Sequence, residues 1–259
     1  MPRFAANLSM LFTEVDFPER FAMARAAGFE GVEYLFPYAY PKDLLKDLLN
    51  DNKLSQVLFN LPPGDWDAGE RGIACLPDRV EEFQAGVDQA IDYAKALGCR
   101  RLNCLAGLKP DHVSDEIAWN TLANNVAWAA PRLAEEGITL CLEAINSRVD
   151  MPGFVLDTSG KVLALIEEVD ADNVRLQYDL YHLQIMEGDL VRSMECLLPW
   201  IGHIQFADNP GRHEPGTGEI NFSNVFAAID AMGYDGWVSA EYRPTGATGD
   251  SLGWFSGKL

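Results

Sequence analysis

Apolar and polar positions along this chain follow two alternating periods. Short apolar runs are followed by stretches whose apolar residues recur on one helical face. Glycine repeatedly closes the second kind just before the next run, at Gly28, Gly98, Gly137 and Gly233. The short runs read as buried parallel strands and the longer stretches as helices. Strands are expected at Phe4–Leu8, Gly31–Leu35, Leu54–Asn60, Arg101–Leu105, Ile138–Glu143, Val174–Asp179, Ile201–Gln205 and Gly236–Glu241. Helices are expected over about 16–28, 41–50, 78–97, 114–136, 157–168, 189–197 and 223–232. Residues 180–188, with Tyr181, His182 and Gln184, read as a connection. An alternating βα chain folds either as an open doubly wound sheet or as a closed (β/α)8 barrel. Eight strands favour closure, and the first βα turn lacks a GxGxxG phosphate-binding fingerprint, so no nucleotide cofactor is expected. The 259 residues suit one TIM barrel domain spanning 1–259.

One connection breaks the rhythm. Residues 61–77 hold Pro62, Pro63, Gly64, Gly69 and Gly72 around Trp66, Glu70 and Arg71. A loop of this length is usually functional, and the aromatic and charged residues predict a lid.

Charge narrows the partners. With 39 acidic against 20 basic residues the formal charge is −19, which repels nucleic acid and anionic membranes. The N-terminus lacks the apolar core of a signal peptide, so a cytoplasmic location is expected. Five cysteines (Cys75, Cys99, Cys104, Cys141, Cys196) show no CxxC spacing and read as buried reduced thiols, not a zinc site. A homo-oligomer is compatible with all of this.

The last four strand candidates share a design. Each ends in one oxygen-bearing side chain, Glu143, Asp179, Gln205 and Glu241, spaced 36, 26 and 36 residues apart. In a barrel all four reach the C-terminal mouth, where active sites lie. Three carboxylates and an amide oxygen make a hard donor set suited to Mg²⁺ or Mn²⁺. Carboxylates converging in a partly desolvated pocket also need a cation to offset their repulsion.

Longer strings narrow the reading. Asn7-Leu8-Ser9-Met10-Leu11-Phe12, Phe36-Pro37-Tyr38, Asn60-Leu61-Pro62-Pro63-Gly64-Asp65-Trp66, Ala68-Gly69-Glu70-Arg71-Gly72, Gln177-Tyr178-Asp179-Leu180-Tyr181-His182, His213-Glu214-Pro215-Gly216-Thr217-Gly218-Glu219-Ile220-Asn221 and Glu241-Tyr242 resemble the hydroxypyruvate isomerase family of xylose-isomerase-like TIM barrels. The similarity runs over essentially the whole chain. It implies interconversion of hydroxypyruvate and tartronate semialdehyde, with Glu143 and Glu241 as catalytic glutamates and a setting in glyoxylate metabolism. Relatives acting on 2-oxo-tetronates share most of these strings. One departure is Ala144, where the family pattern leads one to expect proline.

The chemistry agrees with the resemblance. Isomerising an α-hydroxy carbonyl takes a proton from one carbon and returns it to its neighbour through an enediolate. Two carboxylates across a barrel mouth suit that task. Positioned acid and base groups give about 10²–10⁴-fold. Enzymes commonly reach about 10⁶-fold or more, so a divalent ion is expected to stabilise the enediolate oxygens. His182, one turn past Asp179, is a candidate for the substrate hydroxyl; His203 reads as a core histidine and His112 as solvated. A substrate carboxylate needs a guanidinium, and Arg71 and Arg212 rank above Arg148. Trp66 and Phe12 are expected to roof the pocket. Glu33 is a further carboxylate behind the site, and Glu219 orders its own loop. Rival readings are an epimerase with nearly the same site, a non-catalytic sugar-acid binding protein, and a metal-dependent phosphodiesterase or nuclease. Four histidines and the acidic balance disfavour the last.

Overall fold

The computed structural model of the protein describes residues 1–256. The chain alternates β1 (Arg3–Asn7), α1 (Phe17–Ala26), β2 (Gly31–Glu33), α2 (Lys42–Asp51), β3 (Ser55–Gln56), β4 (Phe59–Asn60), α3 (Val80–Leu97), β5 (Arg101–Cys104), α4 (Asp115–Glu135) and β6 (Thr139–Glu143). It continues through α5 (Ser159–Val169), β7 (Val174–Asp179), α6 (Leu180–Met186), α7 (Leu190–Leu197), β8 (Ile201–Phe206), α8 (Phe222–Ala231), β9 (Trp237–Ala240) and a 3₁₀ segment, Thr248–Ser256.

The strand segments pair in parallel in the order β3-β2-β1-β9-β8-β7-β6-β5-β4. The two ends of that order, β3 and β4, are consecutive pieces of the single third strand expected over Leu54–Asn60. One piece pairs with β2 and the other with β5, so the sheet closes into a TIM barrel. The strand is interrupted at Val57 and Leu58. There the Gln56 side chain donates to the Leu58 carbonyl at 2.8 Å, while Val57 N–H still reaches the Val32 carbonyl at 2.8 Å.

Two further differences from the sequence reading have local causes. Residues 180–186 are a helix, not a loop, because Asp179 turns one carboxylate oxygen onto the N–H groups of Tyr181 (2.7 Å) and His182 (3.3 Å) and caps it. Cys196 is exposed, whereas the other four cysteines are buried. Its place in α7, on a helix whose buried face is carried by Leu190 and Met194, leaves it outside the core.

Strand periodicity sorts side chains into two environments. In β1, Phe4 and Ala6 face the helices and join the main core, while Ala5 and Asn7 face the barrel axis. Phe4 meets Phe206, Phe226 and Trp254 edge-on in that outer core, with ring centroids 4.9–6.0 Å apart. Deep in the barrel a separate apolar plug of Ala5, Val57, Leu58, Cys141 and Trp237 closes the axis. Two residues further along the same strands come Asn7 and Glu143, so the layer above the plug is polar. Among the described residues no helix is long and apolar enough to cross a membrane.

Candidate active site

Strand register aligns the polar layer. Asn7 lies beside Glu33, Asn60 beside Asn103, Glu143 beside Gln177, and Asp179 beside Gln205. All of these, with His182, His203, Ser239 and Glu241, are buried. Burying so many polar groups is costly unless each finds a partner. Asn7 donates its side-chain N–H groups to Glu33 (3.0 Å) and Glu241 (2.9 Å). Asn103 donates to Glu143 at 2.9 Å. Gln205 donates to Glu33 at 2.7 Å and accepts from Gln177 at 2.5 Å. His203 donates to Glu33 at 2.8 Å, which makes it the core histidine the sequence suggested. Arg212 donates to Glu241 at 2.7 Å and stands 3.9 Å from Asp179.

The carboxyls in this layer divide by protonation. Burial pushes Glu143 up to about 8, the Asp179 charge adds to it, and Arg212 and Asn103 oppose it. Burial likewise raises Asp179 and Glu241, the latter well above its ordinary range despite Arg212. Burial would raise Glu33 too, but the charge and hydrogen bond of His203, with the hydrogen bond from Gln205, hold it below the usual carboxylate value. Burial lowers His182 well below an ordinary histidine, so its ring is neutral at physiological pH. The acidic neighbours hold the Arg212 guanidinium firmly charged.

A divalent cation fits this donor set. Asp179 Oδ2 is buried and accepts no hydrogen bond among the described residues. Glu143, Asp179 and His182 each present a donor atom, and these atoms lie within 4.8 Å of one another. Glu241 and Gln205 border the same layer through Asn7 and Glu33, as the bonds above show.

Above the layer opens a cavity of about 660 Å³, lined by Trp66, Arg71, Glu143, Gln177, His182, Arg212, Glu241 and Arg243 among others. Of the sequence candidates, Arg71, Arg212, Trp66 and His182 all reach it. Arg148 does not: it is exposed and donates to the Ile185 carbonyl at 2.7 Å. Phe12 does not roof the pocket either. It is 3% exposed and packs edge-on against Phe29 in the outer core, its N–H held by Thr248 at 2.7 Å. Glu219 accepts from Asn209, which orders its own loop as expected, and from Gln184, which ties that loop to α6.

The 61–77 loop is ordered by its own contacts. The Arg71 guanidinium stacks over Trp66, 4.1 Å from the ring centroid, and donates to the carbonyls of Trp66 (2.9 Å) and Glu70 (2.7 Å). Arg79 pins Glu70 at 2.7 Å. At its downstream root, Gly72 (φ +105°) meets the chain after β5. A Cβ there would fall 2.3 Å from the Leu105 carbonyl oxygen, and one on Gly107 (φ +108°) 2.6 Å from that of Gly72.

Asn7, Asn103, Gln177 and Arg243 escaped the sequence reading. The first three carry the same signal as the four residues it found, a polar side chain at or near the end of an apolar strand. Arg243 follows Glu241 by two residues and its only signal is that position.

The match of residues 21–257 to the xylose isomerase-like TIM barrel model shows that the chain belongs to that family. Hydroxypyruvate isomerase of Escherichia coli K12 is 51% identical over 98% of both chains. A 2-oxo-tetronate isomerase of Cupriavidus necator is 46% identical over 98% of this chain and 97% of its own. A solved structure described as AP endonuclease, family 2 from Brucella melitensis superposes with TM-score 0.96 at 46% identity, covering 99% of each chain. Within the TIM barrels, then, this chain is a member of the hydroxypyruvate isomerase family and an isomerase.

Proposed function

We propose that the enzyme interconverts hydroxypyruvate and tartronate semialdehyde by glutamate-mediated proton transfer. The observation that carries this reading is the pair Glu143 and Glu241, two buried carboxyls facing one cavity and both raised above the ordinary carboxylate range, in a chain 51% identical to a hydroxypyruvate isomerase. A carboxyl lifted by burial out of its ordinary range holds a proton more readily and can take one from substrate and return it. One takes the proton from C3 of hydroxypyruvate; electrons shift into an enediolate across C2 and C3. The other returns a proton to C2, while the hydroxyl proton passes from the C3 oxygen to the C2 oxygen. The sum is an isomerisation with no net loss of atoms or electrons.

The remaining residues bind and orient. Asn103 and Asn7 hold one oxygen of each glutamate, leaving the other toward the cavity or Arg212. Glu143, Asp179, Gln205 and Glu241 are the residues that would hold Mg²⁺ or Mn²⁺. When bound, such an ion supplies positive charge where the enediolate oxygens become negative. His182 and Arg212 contact substrate oxygens, and Arg71 over Trp66 covers the mouth and meets the carboxylate.

The 46% identity to a 2-oxo-tetronate isomerase favours a second reading with one more carbon in the substrate and the same proton transfer. Assaying hydroxypyruvate beside 2-oxo-tetronates in D₂O tests both. Deuterium entering the carbon next to the carbonyl, with the carbonyl moved from C2 to C3 (an aldehyde from hydroxypyruvate, a 3-oxo acid from a 2-oxo-tetronate), is the expected result for the true substrate. Binding without exchange would mean that the compound tested is not the substrate, and inversion of a carbon without carbonyl movement would make the enzyme an epimerase.

A further inference from the structure

The loop after β6 contains a side chain with no assigned role, Asn146. It is fully buried and its amide is fixed on both sides. Its carbonyl oxygen accepts the backbone N–H groups of Val149 (3.0 Å) and Asp150 (2.9 Å). Its NH₂ group therefore faces the other way, 2.5 Å from a carboxylate oxygen of Asp150 and 2.7 Å from His182 Nδ1. Turning the amide over would set oxygen against the Asp150 carboxylate and NH₂ against two N–H groups, so the orientation is decided by four contacts.

The consequence falls on His182. An NH₂ group only donates, so Nδ1 must accept, and a neutral imidazole that accepts at Nδ1 carries its proton at Nε2. A proton on Nδ1 would place two donors face to face at 2.7 Å. Nε2 points into the carboxylate layer, 3.8 Å from Glu143 and 3.9 Å from Asp179. We infer that Asn146 is a positioning residue that locks His182 in the Nε2–H tautomer, making it a hydrogen-bond donor to a substrate oxygen and removing it from metal ligation. A histidine that binds metal through Nε2 needs the reverse arrangement, with Nδ1–H donating to an acceptor behind it. Although Glu143, Asp179 and His182 cluster closely enough to hold an ion, the third is thus a donor, and its target is the enediolate of the proposed isomerisation. That last step rests on the proposed function; the tautomer does not.

Nitrogen NMR of protein labelled with ¹⁵N-histidine tests the assignment without substrate. The chain has 4 histidines, and the difference spectrum of His182→Gln identifies the right one. A pyrrole-type shift at Nε2 and a pyridine-type shift at Nδ1, unchanged on adding Mg²⁺, is the expected result. A proton on Nδ1, or loss of the Nε2 proton on adding Mg²⁺, overturns the inference. Asn146→Asp replaces the donor with an acceptor and should move the proton to Nδ1, with kcat falling about tenfold or more and KM changing less. His182→Gln, which keeps a donor near the position of Nε2, should retain roughly tenfold more kcat than His182→Ala. Equal losses in the two variants, or an Asn146→Asp protein whose Nε2 keeps its proton, count against it. If the enzyme proves inactive on both proposed substrates, the NMR result still stands or falls by itself.

Discussion

The two halves of the barrel mouth are furnished differently. From β1 round to β5 the strand ends supply Asn7, Glu33, Asn60 and Asn103; from β6 to β9 they supply Glu143, Asp179, Gln205 and Glu241. The first half is mostly amide and the second mostly carboxylate, and hydrogen bonds cross between them. The contrast is sharpest between two buried glutamates. Glu33 accepts from Asn7, Gln205 and His203 and is held below the ordinary carboxylate range. Glu143 accepts one side-chain hydrogen bond, from Asn103, and is pushed up to about 8. What separates the two is their company: Glu33 has three side-chain donors and the His203 charge, whereas Glu143 has one donor and the Asp179 charge beside it.

Removing either carboxylate of the proposed proton-transfer pair should have the largest effect. Glu143→Gln and Glu241→Gln should each lower kcat/KM by about 10³-fold or more in steady-state assays, because no neighbour can replace the lost proton carrier. A loss under tenfold in either would place the chemistry elsewhere.

The pH dependence of stability should sharpen the contrast between the halves. Glu143 is raised from 4.5 to about 8 in the folded chain, so the fold holds a proton there that the unfolded chain has released. Its contribution is complete below the unfolded value and is lost as pH rises through the folded one. The metal-free enzyme should therefore lose about 1.4 kcal/mol per pH unit for such a group between about pH 4.5 and 8. Glu33, held low, acts in the opposite sense, contributing above its unfolded value and losing that contribution as pH falls. Denaturant midpoints with EDTA should fall across that window, and Mg²⁺ should flatten the decline. Midpoints that climb with pH in the chelated protein would remove the case for a cation.

The amide half predicts a smaller effect. Asn103→Leu leaves one oxygen of a buried carboxyl without its donor, which should destabilise the fold by about 1–3 kcal/mol and reduce kcat by about 10- to 100-fold. If it matched Glu143→Gln in kcat with stability untouched, the division between aiming and reacting residues would fail.

The smallest effect belongs to the loop. Arg71→Ala should raise KM by about five- to tenfold with kcat nearly constant, since it removes a contact made equally before and during reaction. Arg148→Ala, outside the cavity, should change neither.

The barrel was readable because strand runs, helix-closing glycines and chain length all agree on closure. The carboxylate half of the mouth was readable because a carboxylate ending an apolar strand is conspicuous. Asn7 and Asn103 sit at equivalent positions and were passed over, since an amide at a strand end is unremarkable until its acceptor is known, and Glu241 is far from Asn7 in sequence. The broken third strand left no mark either: Leu54–Asn60 is an unbroken pattern, and the interruption comes from a side chain bonding its own backbone. The helix that carries His182 leaves no trace in the sequence because it is too short to show a period and its cap, Asp179, is also the end of an apolar strand.

The backbone contact between Gly72 and Gly107 bears on how molecules come and go. With no space for even a methyl group between the two segments, the downstream anchor of the 61–77 stretch is welded to the wall of the barrel. Trp66 and Arg71, a few residues upstream of that anchor, are thereby held at a fixed height over the cavity.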